Sequence, residues 1–199
     1  MDLEDYRVLF FVVTLGLALV AASPALGVVV PFGGGSERFS ELWLLGPWHM
    51  AEGYPFDVGV NETYGVFVGV GNHMGCSEYY VVCVKFRNST QPLPDIDNST
   101  PSALPPLYEY SFFVGDGETW ESRLTFGFED VSLVGDVVFV GGVTINGVVF
   151  PVGSSAVWDS EYGGFYFQLF FELWRYDVTM QSFRYHNRFV GLWLNMTVS

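Results

Sequence analysis

Basic residues are scarce in this chain, with 8 Lys and Arg against 22 Asp and Glu, a formal charge of -14. A sequence-independent grip on nucleic acid needs Lys and Arg to displace counterions from phosphates, so nucleic acid is excluded as a partner class. Cysteine is limited to Cys76 and Cys83, in "GCSEYYVVC". Fully extended, the intervening residues would hold the two about 20 Å apart, whereas a disulfide needs Cα atoms within about 7 Å. A bridge therefore requires a turn inside that stretch; the alternative is one buried thiol on a strand and one in a turn. There is no C-x-x-C, no G-x-S-x-G and no phosphate loop, because the glycines at 33–35 lack the Lys and the helix that a phosphate cradle needs. No run rich in Ala, Glu, Lys and Leu follows residue 35, and no internal repeat is evident. These absences leave no positive sign of catalysis, and no catalytic residue, metal site or cofactor is assigned.

What is abundant points to β structure. Aromatic residues make up 18% of the 199 residues, glycines number 23, and charged residues reach only 15%. Aromatic and β-branched side chains pack well on pleated surfaces. "FSELWLL" alternates apolar and polar residues. "TYGVFVGVGNHMG" and "SEYYVVCVKF" read as a hairpin across the "NHMG" turn. "LYEYSFFV" and "ESRLTFGFEDV" follow, the second alternating Leu124, Phe126 and Phe128 with Thr125 and Gly127. Asn146-Gly147, between β-branched runs, predicts a two-residue type I′ hairpin. "GGFYFQLFFELWRYD" and "RFVGLWLNMTV" close the chain around the polar "VTMQSFRYHN". Eight or nine short strands with hairpin turns predict an all-β fold, an antiparallel β-sandwich.

The first thirty residues differ. No charge occurs from Val8 to Phe32, which at about 1.5 Å per helical residue is enough to cross roughly 30 Å of hydrocarbon. One reading is an uncleaved anchor; the other is a signal peptide cleaved near "ALG" at 25–27. The acidic "MDLEDYR", Pro24 in the cleavage zone and the length of the apolar run favour the anchor. The expected order is a cytoplasmic N-terminus at 1–7, a transmembrane helix at 8–31, a stalk at 32–38 and an extracytoplasmic domain at 39–199. The bilayer would then be a partner through the helix.

Sequons stand at Asn61, Asn88, Asn98 and Asn195, four of the seven asparagines, where chance gives about one in eight. The pattern predicts N-glycosylation outside the cytoplasm. Five prolines between Arg87 and Leu107 predict a long exposed loop, with Asn88 pointing into solvent where a strand ends. His49, His73 and His186 match no metal-site spacing. The pairs Glu41 with Glu52 and Asp159 with Glu161 are the kind any acidic protein offers to a glycosidase reading. Among the tryptophans, Trp43, Trp174 and Trp193 sit in alternating apolar contexts and are expected in the core. Trp48 and Trp158 sit in turns and are expected as exposed contacts or at a lipid interface.

"ERFSELWLLGP" at Glu37 to Pro47, "AEGYP" at Ala51 to Pro55, and Asn72-His73 at a strand end together resemble the C-terminal extracytoplasmic module of a family of archaeal membrane proteins, domain of unknown function 1616. The resemblance is good over about residues 20–90 and loose at "YHNRFVGLWLNMTV". It implies an immunoglobulin-like sandwich and an extracytoplasmic topology, and no activity. Members usually carry several membrane helices before this module, where this chain has one. The reading at this level is a non-enzymatic, membrane-anchored, glycosylated surface protein whose sandwich contacts an envelope or membrane protein, or a second copy of itself. A carbohydrate-binding receptor domain is the alternative, and an envelope hydrolase the distant one.

Overall fold

The computed structural model describes residues 6–7, 10–18 and 37–198. The chain divides into two units, residues 1–37 and 38–199. In the first, residues 10–18 are helical. Most of the transmembrane segment expected at 8–31 lies outside the described residues, as do stalk residues 32–36; among the described residues no helix is long and apolar enough to cross a membrane.

The second unit holds ten strands: β1 (Phe39–Leu45), β2 (Asp57–Val58), β3 (Thr63–His73), β4 (Glu78–Asn88), β5 (Tyr108–Val114), β6 (Thr119–Val134), β7 (Val137–Ile145), β8 (Val148–Val157), β9 (Tyr166–Asp177) and β10 (Ser182–Met196). They form two five-stranded sheets, ordered β1-β3-β6-β7-β8 and β2-β10-β9-β4-β5. Pairings are antiparallel except for two-residue β2, which runs parallel to β10. Alternation builds the core, because every second side chain on a strand points to the same face. Val66, Val68 and Val70 of β3 and Leu124, Phe126 and Phe128 of β6 are buried from the first sheet. Val82, Val84 and Phe86 of β4 and Phe167, Leu169, Phe171 and Leu173 of β9 meet them from the second.

The Asn146-Gly147 turn forms as expected. Ile145 pairs with Val148, and both turn residues have positive φ, 50° and 80°. The asparagine also ties the turn outward: its Oδ1 accepts from the Thr125 N–H at 2.9 Å and its Nδ2 donates to the Tyr110 hydroxyl at 2.9 Å.

Two expectations are corrected. β3 and β4 are not a hairpin; β3 pairs with β1 and β6 while β4 pairs with β5 and β9, so residues 74–77 carry the chain from one sheet to the other. Both strands are valine-rich because their valines face one another across the core. The crossing is held by fully buried Asn72, whose Nδ2 donates to the Cys76 and Val114 carbonyls while its Oδ1 accepts from the Met74 N–H and the Tyr80 hydroxyl. The second correction concerns "VTMQSFRYHN": β10 begins at Ser182 inside it, with a register shift between Tyr185 and Arg188.

A candidate binding face on the outer side of the second sheet

On β4 and β9 the residues between the core positions form an outer face in register: Val81 opposite Trp174, Cys83 opposite Glu172, Lys85 opposite Phe170 and Arg87 opposite Gln168. Its middle is covered by residues 89–107, the longest stretch between strands among the described residues. Lys85 and Glu172 form an ion pair of 2.8 Å with side chains 4% and 0% exposed. Ser102 of the covering loop closes the pair on both sides: its N–H donates to Glu172 Oε1 and its carbonyl accepts from Lys85 Nζ, each at 2.8 Å. Trp174 Nε1 donates to Glu172 Oε2 at 3.1 Å. Two desolvated charges with satisfied hydrogen bonds thus strap a proline-rich loop to the sheet. Neither partner was singled out in the sequence, and no local signal could have done so, since Lys85 and Glu172 lie 87 positions apart.

The cysteines follow the unbridged reading. Cys83 is buried on β4, its thiol pushed up to about 12 by burial, and Cys76 is exposed in the crossing turn; both are free.

Aromatic side chains occupy the two ends of this face. Where β4 begins, Tyr79 stacks on Phe113 at 4.4 Å, and Phe183 lies 5.1 Å from Tyr79 and 5.3 Å from Tyr176. Phe113 is 74% exposed. Where β4 ends, Phe56, Tyr162, Tyr166 and Trp193 border a cleft of about 490 Å³ together with Ser89 and Asp159.

The sequons divide by side-chain environment. Asn61 is exposed in the turn before β3, with φ 62°. Asn98 is exposed in a turn closed by the Asp95–Thr100 bridge, its Nδ2 donating to Asp95 Oδ2 at 2.6 Å. Asn88 is half-buried, in contrast to the expected outward side chain. Phe86 points into the core and Arg87 out, so alternation turns Asn88 back to the sandwich rim, where its Nδ2 donates to the Ser155 carbonyl at 2.8 Å. Asn195 is also half-buried, with Nδ2 donating to Asp57 Oδ1 at 2.8 Å.

Trp48 is exposed in the turn after β1, packed over Gly53, and Trp158 follows β8, edge-on to Phe165 at 5.1 Å. Trp43, Trp174 and Trp193 are not core residues. Their aliphatic neighbours Leu42 and Leu44, Leu173, and Leu192 and Leu194 take the inward positions, which leaves each tryptophan on an outer face. Trp43 lies over Gly69, where a Cβ would collide with its ring, and Trp193 is 42% exposed.

The histidines stand apart. His49 contacts Glu121 at 2.9 Å, His73 lies 3.7 Å from Glu41, and His186 Nε2 meets the Ser40 hydroxyl at 3.0 Å. Among the described residues no group of three His, Cys, Asp or Glu side chains is arranged to hold a metal ion. His186 belongs to a polar chain between the sheets, Asn72 to Tyr80 to Ser40 to His186, in which the Ser40 and Tyr80 hydroxyls are 2.6 Å apart. Burial, then the charges of Arg175 and Arg188, lowers the His186 pKa to about 4.

This network absorbs much of the recognisable sequence pattern. Ser40 lies in "ERFSELWLLGP" and Asn72 in the Asn-His pair. Gly46 packs so closely on the Glu52 carbonyl that no Cβ fits, and the Tyr54 hydroxyl donates to the Leu44 carbonyl at 2.8 Å. The motif residues therefore close the end of β1 and join the sheets.

Among solved structures, the chain is similar to a β-glucosidase from Listeria innocua in complex with glucose, at a TM-score of 0.42 and 8% identity over 81% of this chain and 16% of that chain. The same enzyme with isofagomine gives a TM-score of 0.39 and 8% identity over 80% and 16%. The chain thus spans about one sixth of that enzyme's length. No curated protein matches. A family model, Domain of unknown function (DUF1616), matches residues 34–133, from before β1 to the end of β6 and so through strands of both sheets; the chain belongs to this family.

Proposed function

We propose that this chain is a single-pass, membrane-anchored, N-glycosylated surface protein whose immunoglobulin-like sandwich is a non-enzymatic interaction module of the cell envelope. The observation that carries the reading is the aromatic cluster of Tyr79, Phe113, Tyr176 and Phe183 on the outer face of the second sheet, with Phe113 74% exposed. Exposed aromatic groups beside polar residues are the composition of a protein contact. A pyranose platform would need side-by-side coplanar rings, whereas Tyr79 and Phe113 cover each other and the remaining pairs are tilted by 51° to 70°. Protein contact is therefore ranked above carbohydrate, and hydrolysis last. The anchor rests on the uncharged run from Val8 to Phe32, and glycosylation on the exposed Asn61 and Asn98.

Flotation of native membranes, with protease protection and intact mass, tests the reading. The expected result is an uncleaved chain that floats after alkaline extraction, with protease reaching 38–199 only from outside and glycan on Asn61. A mature N-terminus near Val28, or protease access from the cytoplasmic side, would overturn it.

A further inference from the structure

We propose that the cleft between Phe56, Tyr162, Tyr166 and Trp193 binds small organic cations of the quaternary ammonium class. The site is distinct from the aromatic cluster assigned to protein contact, and its chemistry does not depend on where the chain resides. Four aromatic side chains line it: Phe56 lies 6.2 Å from Tyr166 at 39°, Tyr162 lies 6.5 Å from Tyr166 edge-on at 86°, and Trp193 completes the set. Aromatic faces attract a cation through the ring quadrupole, and a methylated ammonium gives up little hydration to reach them.

The charges around the cleft agree with this. Asp159 is the ionisable carboxylate of the lining, and no Lys, Arg or His is part of that lining. Asp57 and Glu161 neighbour Phe56 and Tyr162 in sequence, and the whole chain carries -14, so the long-range field draws cations inward. The Arg87 guanidinium lies 5.3 Å over the Trp193 ring and takes up one face of it, so a cation in the cleft is held chiefly by Phe56, Tyr162 and Tyr166 beside Asp159. Arg87 is held elsewhere by Gln168 Oε1 and the Gln91 carbonyl and is not part of the lining.

The cleft is built in advance of any ligand. Asp159 Oδ1 accepts from the Glu161 and Tyr162 N–H groups at 2.9 and 3.1 Å, which fixes the turn and leaves Oδ2 for a ligand. The Tyr166 hydroxyl donates to the Tyr162 carbonyl at 2.8 Å, which holds the two rings at a right angle. Such fixed walls lower the ordering cost of binding. The same bonds argue against a sugar, whose hydroxyls each need a directed partner, because they consume much of the local hydrogen-bonding capacity.

The experiment is calorimetric titration of the full chain in a non-ionic polyoxyethylene detergent, at constant ionic strength, with choline chloride against sodium chloride. Choline is expected to bind saturably at one site, and its neutral isostere 3,3-dimethylbutan-1-ol is not. Tyr162→Ala and Asp159→Asn should each weaken choline by roughly threefold to thirtyfold. Both variants spare the fold, because Tyr162 is 70% exposed and asparagine keeps the Oδ1 acceptor. Trp48→Ala, outside the cleft, should leave binding unchanged. No saturable binding, equal binding of the neutral isostere, or binding of glucose or maltose in place of choline would each overturn the proposal. Loss of membrane flotation would not touch this result, so the two readings fail separately.

Discussion

Replacing Glu172 with glutamine tests whether the ion pair under the proline-rich loop holds that loop to the sheet. The substitution keeps the shape and removes the charge. Three donors converge on the Glu172 carboxylate: Lys85 Nζ, the Ser102 N–H and Trp174 Nε1. A glutamine has one acceptor oxygen, and its own NH2 would face the ammonium or the indole N–H. Lys85, with a side chain 4% exposed, would be left charged and without its counter-ion. Breaking one side of a buried pair costs about 3–5 kcal/mol, against about 0–1 for a surface pair. For a domain of this size each kcal/mol moves the melting temperature by about 2–4 °C, so Glu172→Gln should lower it by roughly 6–20 °C. The double variant Lys85→Met with Glu172→Leu removes both charges but leaves the Ser102 N–H and carbonyl and the Trp174 N–H without their partners, so it should recover only part of the loss, the part that lies in the orphaned charge. Urea denaturation of the wild type, Lys85→Met, Glu172→Leu and the double variant gives the coupling energy. Limited proteolysis should also open residues 89–107 in the single variants first. A Glu172→Gln loss below about 1 kcal/mol, or a double variant no better than the singles, would refute the reasoning.

Two further outcomes are expected. Gly147→Val should cost on the order of 1–2 kcal/mol in denaturant unfolding through backbone strain alone, because a Cβ there meets nothing within 4 Å while φ is 80°; a change near zero would count against the turn. His186 titrates at about 4 in the folded chain against an ordinary value of 6.5. The unfolded chain therefore takes up a proton first as pH falls, and stability drops between pH 6.5 and 4, by on the order of 1–2 kcal/mol once solvent screening of this half-buried ring is allowed for. Comparing the pH profiles of wild type and His186→Gln isolates the contribution, and equal profiles would exclude it.

The sequence by itself determined the features whose causes are local. Alternation in "SRLTFGF" placed Leu124, Phe126 and Phe128 in the core, and Asn146-Gly147 set a turn because few dipeptides accept two positive φ values. The family followed from "ERFSELWLLGP", "AEGYP" and Asn72-His73. Tertiary structure decided which sheet a strand joins and which of two alternating sets faces inward. "NHMG" looks like a hairpin turn, yet β3 and β4 join different sheets and their inward valines meet in one core between them. A strand flanked by large residues on both faces carries no mark of its inward side, so Trp43, Trp174 and Trp193 went outward when leucines filled the core. Asn88 turned to the rim for the same reason of phase. The aromatic cleft draws Phe56, Ser89, Trp193 and the stretch that holds Asp159, Tyr162 and Tyr166 from four separated segments. No window of sequence contains it, because closing distant segments together is the work of the core, and only the folded sandwich sets those rings around one space.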